Sequence, residues 1–149
     1  MNIKDFDKIT YDVNRGVALV RLNNPDRRNA WGGRMSVEYR WALYHAHTDD
    51  SARVVVVTGV GDDFCVGADT SELSSIESAG GAYQKAQLEL PPYPEATPEA
   101  FRRNHAYPWC INKPVIAAVN GRCAGVGFIV ASYADLRFGA HNSVLKTAF

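Results

Sequence analysis

The sequence predicts an α/β layer fold, and three observations carry that expectation. RVVVVT, Arg53 to Thr58, holds four consecutive valines, the pattern of a parallel strand buried on both faces. VIAAV, Val115 to Val119, is a second apolar run, bounded by Pro114 and by Asn120-Gly121. Between the N-terminal strands and the valine run, Met35 to Thr48 carries Met35, Tyr39, Ala42, Leu43 and Ala46 at helical spacing, and Val37, Trp41 and Tyr44 widen the apolar face. Strands alternating with helices pack as layers around one core. A chain of 149 residues suffices for one such domain, residues 1–149.

The totals narrow the function classes. Lys plus Arg and Asp plus Glu are both 16, so the formal net charge is zero and neither nucleic acid nor an anionic membrane surface is indicated as a partner. Hydrophobic residues make up 46%, with no run long enough to span a bilayer. The opening MNIKDFDKIT is polar and charged, unlike a signal or transit peptide. Cys65, Cys110 and Cys123 are widely spaced and form no CxxC pair, which argues for a reducing cytoplasm and against a disulfide framework. No His, Cys and carboxylate cluster has ligand spacing, so no metal or redox cofactor is expected.

Along the chain, Ile9 to Val13 and Val17 to Leu22 flank Asn14-Arg15-Gly16 and read as a β-hairpin. The polar loop Asn23 to Ala30 follows. Its Arg27 and Arg28 suit a phosphate or simply solvent. In the helix, His45 and His47 are two apart and cannot share a face as a metal pair. Gly59-Val60-Gly61 after the valine strand lacks the third glycine of a dinucleotide fingerprint, since Phe64 stands there.

Two stretches repeat one logic. In DDFCVGADTSEL, Asp62 to Leu73, a strand leads into a turn, Gly67 frees the backbone, and a short helix starts near Asp69-Thr70. The Ala68 N–H is left there as a donor. In the stretch Lys113 to Asp135, a strand and turn lead to Gly125, Val126 and Gly127 and to an apolar helix through Phe128 to Ala134. The first N–H groups of that helix lack intrahelical acceptors. Two such units can aim two backbone N–H groups at one point, the geometry that holds an oxyanion; two unrelated turns are the alternative. Between them, Ser74 to Cys110 is irregular, with prolines at 91, 92, 94, 98 and 108, and suits a lid. Pro98 to Ala106 is expected to form a short helix, and Leu136 to Gly139 a further strand.

The combination resembles the enoyl-CoA hydratase/isomerase (crotonase) superfamily, N-terminal portion of the fold. It rests on Asn23-Asn24-Pro25 with Asn29-Ala30, on Phe64 to Asp69, and on Lys113 to Gly121 with Gly125, Gly127 and Asp135. The resemblance implies a crotonase-like ββα spiral core, with the C-terminal helical part missing here. It implies an acyl-CoA thioester as substrate, with coenzyme A as part of it and no further cofactor. It makes the Ala68 and Val126 N–H groups the oxyanion-hole donors that stabilise a thioester enolate. It sets Arg28 and Ala30 beside the coenzyme A phosphates and adenine, and Val66, Gly67, Ala68, Asp69 and Thr70 along the thioester, and it counts Gly125, Val126 and Ile129 among the substrate-binding residues. It further implies fatty-acid metabolism, and a homo-oligomer, trimer or hexamer, for a full-length chain.

Departures accompany the resemblance. Hydratases of this family use two glutamates, and the motif puts Ile129 at the first position and Phe149 on or beside the second. Neither side chain moves a proton. Asp69, Glu72 and His105 are the remaining acid–base candidates, though Asp69 and Glu72 equally suit a helix N-terminus and His105 an ordinary structural histidine. Three functions therefore stay open: an enoyl-CoA hydratase of the lyase class; another crotonase reaction such as isomerisation, thioester hydrolysis or C–C cleavage; and a catalytically silent CoA-binding or assembly module.

Overall fold

The structure, a computed structural model, describes residues 1–71, 88–102 and 104–147, the Asn104 side chain excepted. Strands β1 (Ile9–Asn14) and β2 (Val17–Leu22) form the expected antiparallel hairpin, turned at Arg15 and Gly16. Helix α1 (Gly33–Thr48) returns the chain so that β3 (Val54–Gly59) lies parallel to β2. β5 (Val115–Val119) then adds parallel to β3, and β7 (Leu136–Gly139) parallel to β5. The sheet order is β1-β2-β3-β5-β7. A second, all-parallel sheet has the order β4-β6-β8 from β4 (Asp63–Cys65), β6 (Arg122–Ala124) and β8 (Val144–Lys146). Helix α2 (Val126–Ser132) follows β6.

The core lies between α1 and one face of the larger sheet. Met35, Tyr39, Leu43 and Ala46 of α1 cluster with Ala18, Val20, Leu22, Val55, Val57, Val115, Ala117 and Val119. The valine strand is fully packed on one face and partly covered on the other. Val55 and Val57 are buried, whereas Val54 and Val56 on the opposite face keep partial exposure. β-branched residues satisfy the strand backbone on either face, so composition alone does not report which face is packed.

Charged side chains also enter the core region. Glu38 is fully buried, accepting from the Asp7 and Lys8 N–H groups at 2.9 and 2.7 Å and from the Arg34 guanidinium. Arg40, 2% exposed, lies over the rings of Tyr93 and Tyr107 at 4.8 and 4.9 Å. Such cation–π contacts fix the segment after residue 88 against α1. The Tyr107 hydroxyl donates to the Pro92 carbonyl at 2.8 Å within that segment.

Two residues of the family pattern have structural employment. Lys113 Nζ donates to the Ala46 and Asp49 carbonyls, both at 2.6 Å, at the C-terminal end of α1 where a cation is favoured. Asp135 Oδ2 accepts from the Val115 N–H at 2.7 Å, and its own N–H donates to the Val115 carbonyl at 2.8 Å, tying the start of β5 to the approach to β7.

The expected helix over Pro98 to Ala106 is replaced by two 3-10 segments, Glu99–Phe101 and Asn104–Cys110. Pro108 lies inside the second and has no N–H to give. α2 ends at Ser132, short of the expected Ala134. Both sheets end in apolar edges: Leu136 and Phe138 of β7 are 53% and 62% exposed, and Val144 and Leu145 of β8 are 57% and 47% exposed.

Candidate active site

The small sheet brings the two strand–turn–helix units together. Cys65 of β4 stands opposite Cys123 of β6, after a register shift that makes Phe64 an extra residue in its strand. Beyond that pair the turn at Gly67 stays beside the turn at Gly125: a Cβ on Gly67 would lie 3.5 Å from the Ala124 carbonyl oxygen and 3.9 Å from the Gly125 Cα. Neighbouring parallel strands run about 4.8 Å apart, so the two turns face each other across one strand spacing. Gly67 (φ 114°) and Gly125 (φ 52°) adopt backbone conformations that side chains disfavour, and both turns depend on this.

Three other elements set the positions of these turns. The loop after β2 runs beside Val66 to Asp69: the Val66 N–H donates to the Arg28 carbonyl at 3.3 Å, the Trp31 N–H to the Gly67 carbonyl at 2.7 Å, and the Asp69 N–H to the Trp31 carbonyl at 3.0 Å. Trp31 thus forms a parallel bridge with Ala68 and leaves the Ala68 N–H outside the ladder. Among the described residues neither the Ala68 nor the Val126 N–H has an acceptor. Ala68 is exposed and Val126 partly so. On the far side, Gly127 packs directly on β4, since a Cβ there would come within 2.3 Å of the Cys65 carbonyl oxygen.

Two asparagines brace the turn between β3 and β4. Asn29 is fully buried at φ 55°; its amide donates to the Val60 and Asp63 carbonyls at 3.0 and 2.8 Å, and its oxygen accepts from the Asn24 N–H at 2.8 Å. Asn120 donates to the Gly61 carbonyl at 2.8 Å and accepts from the Gly59 N–H at 3.0 Å.

The sequence pattern that defines the enoyl-CoA hydratase/isomerase family matches residues 12–149. The chain belongs to that family. A relative named probable enoyl-CoA hydratase, from Mycobacterium tuberculosis, is 35% identical over 144 residues, which are 97% of this chain and 51% of the relative. A solved Pseudomonas aeruginosa structure superposes with a TM-score of 0.79 at 29% identity, covering 95% of this chain and 56% of the other. An enoyl-CoA hydratase/isomerase from Mycobacterium paratuberculosis gives a TM-score of 0.73 at 29% identity, covering 96% and 52%. The chain thus spans about half the length of the curated relative it matches.

Within this family framework the expected site residues divide. Arg28, Ala30, Val66, Gly67, Ala68, Asp69 and Thr70 come together through the backbone bonds just described, and Gly125, Val126 and Ile129 join them across the β4–β6 pair. The Arg28 side chain is exposed and Ala30 is buried. Ile129 keeps partial exposure one turn into α2, on the face it shares with Val126. Glu72, residues 74–87 and Phe149 lie outside the described residues. Among the described residues no group of His, Cys, Asp and Glu could hold a metal ion, and no helix is long and apolar enough to cross a membrane.

Asp69 is committed elsewhere. Its carboxylate, 8% exposed, forms a two-point pair with Arg27 at 2.8 and 3.0 Å and accepts from the Ser71 hydroxyl and N–H at 2.6 and 3.0 Å. Burial acts to raise its pKa, but the bonds from Ser71 and Arg27 and the Arg27 charge together hold it below the ordinary carboxylate value. A carboxylate held ionised in this way steadies the turn and is a poor proton donor near neutral pH. Its stabilising contribution is complete above the ordinary value of 3.8 and disappears as the pH falls through the lowered folded-state value. The stability gap between the natural chain and Asp69→Asn, measured by urea unfolding, is therefore expected to be widest at neutral pH and to close in acid. A gap unchanged with pH would contradict this account.

Sequence reasoning missed Trp31 and the two asparagine braces, and it offered Arg27 to a phosphate or solvent where the structure pairs it with Asp69. Asn29 and Asn120 stood in the family pattern, and their place beside Ala30 and Gly121 was the available signal. Nothing in the sequence marked Trp31 as the partner of Ala68.

Proposed function

We propose that this chain is the acyl-CoA-processing part of an enoyl-CoA hydratase/isomerase-family enzyme. The thioester oxygen is received between the Ala68 and Val126 N–H groups, which stabilise the enolate as charge moves onto that oxygen. The single observation that carries this reading is the close approach of the Gly67 and Gly125 turns, each glycine followed by an N–H without an acceptor among the described residues. One donor of this kind is worth about 3–4 kcal/mol in the transition state. Arg28, exposed beside this turn, suits the phosphates of coenzyme A.

A reaction other than hydration on the same enolate is the second reading, favoured by Ile129. The position faces the same side of α2 as Val126 yet carries no acid. An isomerisation, a thioester hydrolysis or a C–C cleavage accommodates this better than addition of water.

Crotonyl-CoA labelled with carbon-13 at the thioester carbonyl tests both. Its infrared carbonyl band is expected to move to lower frequency on binding, as two N–H donors polarise the bond. An unshifted band, or no binding, overturns the oxyanion reading. The same mixture, followed by mass spectrometry, is expected to show no gain of one water; hydrated product would overturn the second reading.

A further inference from the structure

We infer that His105 is the group that takes the proton from the acyl carbon next to the thioester carbonyl. The inference rests on the oxyanion reading above and adds the base that the reading lacks. The His105 ring lies against Trp31, with centroids 6.2 Å apart at a 48° tilt. Trp31 is the residue whose backbone brackets Ala68, donating to Gly67 and accepting from Asp69. One side chain therefore separates the imidazole from the strand that carries the first oxyanion donor.

His105 is also available. Among the described residues its ring nitrogens make no hydrogen bond or ion pair, and the ring is neither buried nor fully exposed. Burial lowers its pKa below the ordinary imidazole value, so the ring is neutral and has a free lone pair at neutral pH. Its described neighbours do not compete for the role. Asp69 is paired with Arg27. Tyr39, whose ring meets Trp31 at 5.3 Å, is 2% exposed, and burial holds its hydroxyl protonated.

The mounting is packed against the core. His105 belongs to the 3-10 helix Asn104–Cys110, and Tyr107, two residues on, is fully buried against Arg40 and donates to Pro92. A base held by such neighbours keeps its position without help from substrate. In the step itself the imidazole nitrogen accepts the proton, the C–H electron pair becomes the enolate double bond, and the carbonyl pair moves onto the oxygen held by the two N–H groups. Return of a proton from the imidazolium reverses the step. In heavy water the returning proton is replaced by deuterium, so the reaction needs no co-reactant.

Butyryl-CoA in heavy water is the probe, with mass spectrometry reading deuterium at the α-carbon and a separate titration reading binding. The natural chain is expected to bind and to exchange. His105→Gln is expected to bind within about twofold and to exchange roughly 100-fold or more slowly, the usual effect of removing a general base. Added imidazole is expected to restore exchange to His105→Ala, which a purely structural histidine would not allow. Equal exchange by the natural chain and His105→Gln overturns the assignment. So does binding by the natural chain without exchange, which leaves the oxyanion reading in place. No binding by the natural chain overturns both.

Discussion

Gly127→Ala is expected to slow deuterium exchange from butyryl-CoA by about 100-fold while leaving the secondary structure in place. The added Cβ would meet the Cys65 carbonyl oxygen at 2.3 Å and the Cys65 Cβ at 2.7 Å. Both belong to β4, a strand paired to β6 and packed in the core, so the strand cannot retreat cheaply. α2 must move by on the order of 1 Å to recover ordinary contact. Val126 moves with it, and on the proposed reading the two N–H groups no longer meet one oxygen. A displacement of that size at a catalytic constellation costs about 100-fold in rate, and the overpacking itself costs about 1–3 kcal/mol of stability. Circular dichroism, urea unfolding and the exchange rate measured on one preparation separate the two effects. Unchanged exchange with unchanged stability would mean that α2 is not seated on β4 as described.

Glu38→Ala is expected to cost roughly 3 kcal/mol of stability, a large share of what a domain of this size holds. The carboxylate is fully buried and satisfies the Asp7 and Lys8 N–H groups and the Arg34 guanidinium. Removing it strands two backbone donors and a cation at once. The loss falls at the low end for a broken buried pair because Arg34 is 35% exposed and regains water. Urea unfolding checks the figure, and a loss under about 1 kcal/mol would mean that the N-terminal segment detaches without consequence.

What the sequence revealed follows from the length of each signal. The hairpin, α1, β3 and β5 have several residues apiece and declared themselves through alternation, helical spacing or valine runs. β4, β6 and β8 have three residues each, fewer than any period needs to repeat. Yet β4 and β6 are the strands that bring the two turns together. The turns themselves were legible, because Gly67 and Gly125 are forced by backbone geometry and no other residue type serves as well. Their mutual approach was not, since it depends on a register between short strands. Glu38 and Arg40 were invisible for another reason. A charged residue on a helix reads as solvent-facing until its partners, here distant N–H groups and two tyrosine rings, are known.

The strand orders carry a consequence for how the chain assembles. In both sheets each strand lies beside the one made before it in that sheet, β1-β2-β3-β5-β7 in one and β4-β6-β8 in the other. After the first strand of each sheet, every described strand finds a partner already made, and none is inserted between two already paired. The molecule can therefore be wound on from its N-terminus, each strand after the first of its sheet using the previous one as a template. In the larger sheet an emerging chain presents one fresh edge at a time, while the strands behind that edge are already hydrogen-bonded.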